Sequence, residues 1–132
     1  MPNQNSENIL IVEDNRALSR VIQVVLAKAG FNVTCAYDGE AAWSLIQENE
    51  YDLIVTDQQM PKLNGVDLCH RVRKMDGRYS SIPIFLLTAK GLELDLQKLK
   101  SELAITDVIA KPFSPVALVE VLEQHLTASS SN

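Results

Sequence analysis

Two textures of hydrophobic residues alternate along this chain. Short unbroken apolar runs, Ile9-Leu-Ile-Val12, Leu53-Ile-Val-Thr56 and Ile82-Pro-Ile-Phe-Leu-Leu87, have the length and character of strands buried on both faces. Between them apolar residues recur every three or four positions, as on one face of a helix. Leu18, Val21, Ile22, Val25, Leu26 and Ala29 predict a first helix stopped by Gly30. Phe31, Val33 and Cys35 alternate like a half-covered second strand, and Asp38 is placed to cap a second helix whose inner face carries Ala42, Leu45 and Ile46. The third strand ends at Asp57, and Asn64-Gly65 opens a third helix turning Leu68, Val72 and Met75 inward. Residues 76–81 predict a loop. The fourth strand has Pro83 near its start, where a missing donor is tolerated. Leu92, Leu96, Leu99 and Leu103 mark a fourth helix, and Ile105-Thr-Asp-Val-Ile-Ala110 a fifth strand. Ser114-Pro115 supplies a cap and a first-turn proline for a fifth helix carrying Leu118, Val121, Leu122 and His125 or Leu126. Residues 127–132 are expected to form a polar, disordered tail.

Five strand–helix repeats with near-continuous apolar strands predict an α/β fold, a doubly wound five-stranded parallel sheet with five helices, flavodoxin-like. In such sheets ligands bind beyond the carboxyl ends of the strands. The residues at those ends form a chemically coherent set: Glu13-Asp14 after strand one, Asp57 after strand three, Thr88 after strand four and Lys111 after strand five. Taken singly, each has an ordinary role as a cap or strand exit. Together they bring three carboxylates, a hydroxyl and an ammonium to one pocket. Three carboxylates repel unless a cation lies between them. A hard, oxygen-bound ion such as Mg²⁺ suits this set, since neither His70 nor His125 falls at a strand end. A carboxylate can also attack phosphorus to give an aspartyl phosphate, with charge neutralisation from a metal ion, Lys111 and Thr88.

Composition narrows the classes further. The 132 residues make one domain, 46% hydrophobic, large enough for a core without staples. The net charge of −5 argues against a nucleic-acid footprint. No apolar run is long enough to span a bilayer and the opening residues are polar, so a cytoplasmic protein is expected. Cys35 and Cys69 lack metal or redox spacing and are expected as reduced thiols. His70-Arg-Val-Arg-Lys74 is expected to be a solvated helix face, Trp43 a packing residue, and His125 a charge partner near a helix end.

The stretches Ile9-Leu-Ile-Val-Glu-Asp-Asn15, Asp57-Gln-Gln-Met-Pro-Lys-Leu-Asn-Gly65, Leu86-Leu-Thr-Ala89 and Lys111-Pro-Phe113 resemble the receiver domain of two-component response regulators. The resemblance spans about residues 8–126. It implies that Asp57 accepts a phosphoryl group from a histidine kinase or phosphotransfer protein, and that the domain then changes its binding to a downstream protein. It implies Mg²⁺ bound by Asp14 and Asp57, by Glu13 through water, and by the Gln59 backbone carbonyl. Thr88 would then hydrogen-bond a phosphoryl oxygen and Lys111 would pair with another. Gln59 and Lys90 would flank the path of the water that removes the group. The Lys111–Pro112 bond is often cis in that family. Much of the family has an aromatic residue three positions before the lysine, where this chain has Val108. Such a domain is a phosphoacceptor rather than an enzyme with turnover.

Three other classes fit less well. Phosphatases with an aspartyl nucleophile carry a general acid two positions beyond it, where Gln59 stands. Nucleotide binders carry a glycine-rich loop after the first strand, and none follows Val12. A receiver that docks without phosphate needs no complete site.

Overall fold

A computed structural model describes residues 7–89 and 95–130, the last four of these by backbone alone. The elements follow the expected alternation: β1 Asn8–Val12, α1 Arg16–Lys28, β2 Asn32–Ala36, α2 Gly39–Glu48, β3 Leu53–Asp57, α3 Gly65–Arg73, β4 Ile84–Ala89, α4 Leu96–Leu103, β5 Asp107–Lys111 and α5 Pro115–Ser130. All pairings are parallel, in the order β2-β1-β3-β4-β5. The order reverses direction between β1 and β3, so the crevice at their carboxyl ends is the binding position for this topology.

The pleat sorts side chains onto two faces. Ile9, Ile11, Leu53, Val55, Phe85 and Leu87 pack with Ile22 and Leu26 of α1 and Leu118 and Leu122 of α5. Leu10, Val12, Ile54, Ile84 and Leu86 pack on the other side with Ala42 and Ile46 of α2, Leu68 and Val72 of α3, and Leu103 of α4. Burial on both sides explains why the strands are apolar at every position rather than at alternate ones.

Several expected boundaries shift for identifiable reasons. β4 runs Ile84–Ala89 and so includes Thr88, because β5 pairs with it as far as Lys111. At the other end, Thr106 substitutes for ladder residues: its N–H donates to Ile84 O at 2.8 Å and its hydroxyl accepts from Ile84 N at 3.2 Å. The expected inner face of α4 narrows to Leu103 and half-buried Leu99. Leu96 is the first helical residue, directly after the Asp95 cap, and is 42% exposed. Leu92 lies outside the described residues. Val121 is likewise outward-facing on α5. α5 continues through Ser130, into the stretch expected as a tail, since no glycine or proline interrupts it after Leu126. His125 is therefore well inside the helix, with its ring edge-on to Phe85 at 5.8 Å, and is a packing residue rather than a helix-end charge. The loop over residues 76–81 contains a one-turn 3-10 helix, Gly77–Ser80, with Tyr79 buried. The Tyr79 hydroxyl donates to Asn49 O at 2.6 Å and accepts from Tyr51 N at 3.1 Å, tying this turn to the entrance of β3.

Candidate functional site

Each candidate side chain stands at or next to the carboxyl end of a strand. Beyond Val12 the chain leaves β1 with one more ladder bond, Glu13 N to Ala36 O at 3.1 Å, which turns the Glu13 side chain into the sheet. Glu13 is fully buried, and its Oε2 accepts from Asn15 N at 3.0 Å. Asn15 caps α1 by accepting from Leu18 N. Asp14 between them faces solvent. Asp57 is the last residue of β3 and is 3% exposed. Its neighbour Gln58 continues the ladder to Leu87 O at 2.8 Å, so the chain stays on the β4 edge past Asp57. Thr88 is buried one step further along β4 and makes no side-chain hydrogen bond to a described residue. Lys111 closes β5 and precedes a cis peptide bond to Pro112.

Four of these groups meet. The Lys111 ammonium is 2.7 Å from Asp57 Oδ1 and 2.8 Å from Glu13 Oε1. Glu13, Asp14 and Asp57 each offer a carboxylate oxygen, all within 4.8 Å of one another. Burial pushes the Asp57 carboxyl up to about 8, and the Glu13 carboxyl beside it adds to the rise, while Lys111 pulls the other way. Burial alone would lower Lys111, but Asp57 and Glu13 outweigh it and hold the ammonium above the usual lysine range. One ammonium thus fails to neutralise the acids facing it. Glu13 Oε1 is buried and lacks a well-formed hydrogen bond even with Lys111 close by. An all-oxygen donor set, an excess of negative charge and an under-satisfied buried oxygen fit a hard divalent cation.

Glycine makes the approach of the next loop possible. A Cβ on Gly65 would collide with the Asp57 carbonyl oxygen, so only glycine lets α3 start directly over the end of β3. Gln59 is exposed in the turn two residues past Asp57. Lys90 lies outside the described residues. Val108 pairs with Leu86 in the ladder and packs half-buried against the α2–α4 side of the sheet, as an ordinary strand residue.

The sequence reading overlooked one residue by taking 70–74 for a solvated face. Arg73 instead reaches three carbonyls, donating to Leu103 O at 2.6 Å, Ala104 O at 3.0 Å and Tyr79 O at 3.1 Å. It caps the C-terminal end of α4 from α3, a contact across about thirty residues that no local pattern signals. Cys35 and Cys69 are free, as expected, and Trp43 packs against the core with the Arg71 guanidinium 5.6 Å from its ring centre.

The response regulator receiver domain family matches this chain over residues 9–123. Solved structures agree. The receiver domain of Francisella response regulator 1452 is 28% identical over 92% of this chain and 99% of that one, with a TM-score of 0.74. Chemotaxis response regulator CheY4 of Vibrio cholerae is 27% identical over 91% and 98%, with a TM-score of 0.80. The signal receiver domain of a signal transduction histidine kinase from Syntrophus aciditrophicus is 26% identical over 96% and 95%, also at 0.80. The chain belongs to the response regulator receiver domain family. Membership makes it a regulatory domain of phosphorylation-controlled two-component signalling, with histidine kinases or phosphotransfer proteins as the partner class.

Proposed function

We propose that Asp57 is the phosphoacceptor of this domain and that its modification, with Mg²⁺ bound, changes which protein the domain engages. The observation that carries this is the Lys111 ammonium 2.7 Å from the buried Asp57 carboxylate, beside two further acids. Asp14 and Asp57 would hold the ion directly, Glu13 through water, and the Gln59 carbonyl would add a further oxygen. The ion supplies charge neutralisation at the phosphoryl oxygens. A carboxylate oxygen of Asp57 attacks the phosphorus of a phosphohistidine, the phosphorus–nitrogen bond breaks, and the imidazole leaves with the bonding pair. Lys111, already beside that carboxylate, holds the charge that arrives. The Thr88 hydroxyl, without a side-chain partner among the described residues, donates to a phosphoryl oxygen. The acyl phosphate carries roughly −1.5 to −2 units of charge in place of the single charge of the ionised carboxylate, at one buried point. The elements joined to Thr88 and Lys111 are β4, β5 and the helices that flank them, so the change emerges on the α4–β5–α5 side. No described helix is long and apolar enough to cross a membrane, and the proposed setting is the cytoplasm.

Incubation with acetyl phosphate, read by intact mass, tests this. The expected result is one phosphoryl adduct that requires Mg²⁺. Multiple adducts, or one formed equally well in EDTA, would refute the assignment. Steady release of phosphate from a small phosphoester would favour an enzyme instead.

A further inference from the structure

The loop between β3 and α3 carries everything that follows Asp57, and it is closed at both ends. Gly65 N donates to Gln58 O at 3.0 Å, and Val66 N donates to the Gln58 side-chain oxygen at 2.8 Å. Within the loop, Leu63 N donates to Pro61 O at 2.8 Å across Lys62, whose φ is 74°. That three-residue turn is a rare and strained one. Strain of this kind persists only where the surroundings hold it, and α2 packs directly beside this turn. Leu63 is buried against the first turn of α2 at Gly39, where any Cβ would meet the Leu63 carbonyl oxygen and its Cβ. Asp38, the α2 cap, also faces Lys62 at 3.6 Å, but Lys62 is 64% exposed, and such a pair contributes little. Between the hydrogen-bonded ends of the loop, buried Leu63 is a packing anchor against α2, and the exposed ion pair adds little to it.

We propose that Leu63 and Gly39 are positioning residues for the metal site: seating Leu63 in the Gly39 notch sets the path of residues 58–62 over the acid cluster and so sets the affinity for Mg²⁺. The proposal rests on the function proposed above, because it takes the Gln59 carbonyl as a metal ligand. Neither residue offers an oxygen from its side chain. Their influence passes through the course of the loop, like that of groups which orient metal ligands elsewhere, where loss typically weakens the metal by roughly 10–100-fold.

Mg²⁺ titration of the full chain by calorimetry tests this in wild type, Leu63→Ala, Gly39→Ala and Ile22→Ala. Ile22 is a fully buried residue of α1 on the opposite face of the sheet, so it reports loss of packing alone. The expected result is Mg²⁺ binding about tenfold weaker or worse in Leu63→Ala and Gly39→Ala, and unchanged in Ile22→Ala, with phosphorylation recovering at saturating Mg²⁺. Leu63→Ala keeps the test open if Gly39→Ala fails to fold. Wild-type affinity in a folded Leu63→Ala, or an equal loss in Ile22→Ala, overturns the inference. Failure of the wild type to bind Mg²⁺ at all would sink the functional reading itself, a separate outcome.

Discussion

Replacing Asp57 by asparagine should stabilise the metal-free protein, and the gain should depend on pH. Asp57 is pushed up to about 8 in the folded state from an ordinary value of 3.8. A group raised on folding contributes stability that is complete below its unfolded value and is lost as pH rises through its folded value. Ionised Asp57 therefore destabilises the fold progressively between about pH 4 and pH 8. At pH 7.5 the full linkage amounts to about 5 kcal/mol, and at pH 4.5 to about 1 kcal/mol. Asp14 at the mouth of the pocket is exposed, so solvent screening reduces this figure. Asparagine also gives up the attraction to Lys111 at 2.7 Å. A realised gain of about 2 kcal/mol at pH 7.5 is expected, or about 5–10 °C in Tm for a domain of this size. The assay is urea and thermal unfolding of both proteins in EDTA at pH 4.5 and 7.5. Mg²⁺ added at pH 7.5 should stabilise wild type more than the variant, because the proposed metal site includes the carboxylate that the variant lacks. A destabilised Asp57→Asn at pH 7.5, or an equal gain at both pH values, would refute the reasoning.

Four further outcomes follow from the same structure. Lys111→Met removes the ammonium that faces buried Glu13 and the largely protonated Asp57, and should lower metal-free stability by about 2 kcal/mol at pH 7.5, measured by urea unfolding, with much of the loss recovered by Mg²⁺; a neutral effect would contradict the ion pairs. Arg73→Ala should cost about 2 kcal/mol and speed amide exchange at the C-terminal end of α4 more than elsewhere; uniform exchange would contradict its capping role. Burial pushes the Cys69 thiol up to about 12, so in the native protein at pH 8 it should react with a disulfide reagent far more slowly than Cys35. The same raised value means that Cys69 contributes stability below about pH 9 which is lost as pH rises toward 12, and Cys69→Ala should flatten that decline in pH-dependent unfolding.

Much of this was legible in the chain because strand ends leave a local mark. Glu13-Asp14, Asp57, Thr88 and Lys111 each follow an apolar run, and the fold brings Glu13, Asp14, Asp57 and Lys111 together. Two-sided burial is written in the spacing of apolar residues and implies a doubly wound parallel sheet; right-handed crossovers leave few topologies for it, of which the order β2-β1-β3-β4-β5 is one. What the sequence hid is long-range. Arg73 reads as one basic residue among several until α4 is folded beside it. Tyr79 reads as a loop residue until Asn49 and Tyr51 are seen against its hydroxyl. Leu96 fits a helical period, yet its place in the first turn turns it outward, since a period gives a face but not the tertiary surface it meets. The Leu63 plug was invisible for the same reason, because Gly39 and Leu63 are joined by packing rather than by motif.

Locating the phosphoryl group tests the central claim most directly. The protein is treated with acetyl phosphate and Mg²⁺, reduced with borohydride so that an aspartyl phosphate becomes homoserine, digested and sequenced by mass spectrometry. The account predicts homoserine at position 57 alone and none in Asp57→Asn. Homoserine at residue 14, the one-carbon-longer 2-amino-5-hydroxypentanoic acid at residue 13, or undiminished labelling of Asp57→Asn would contradict it.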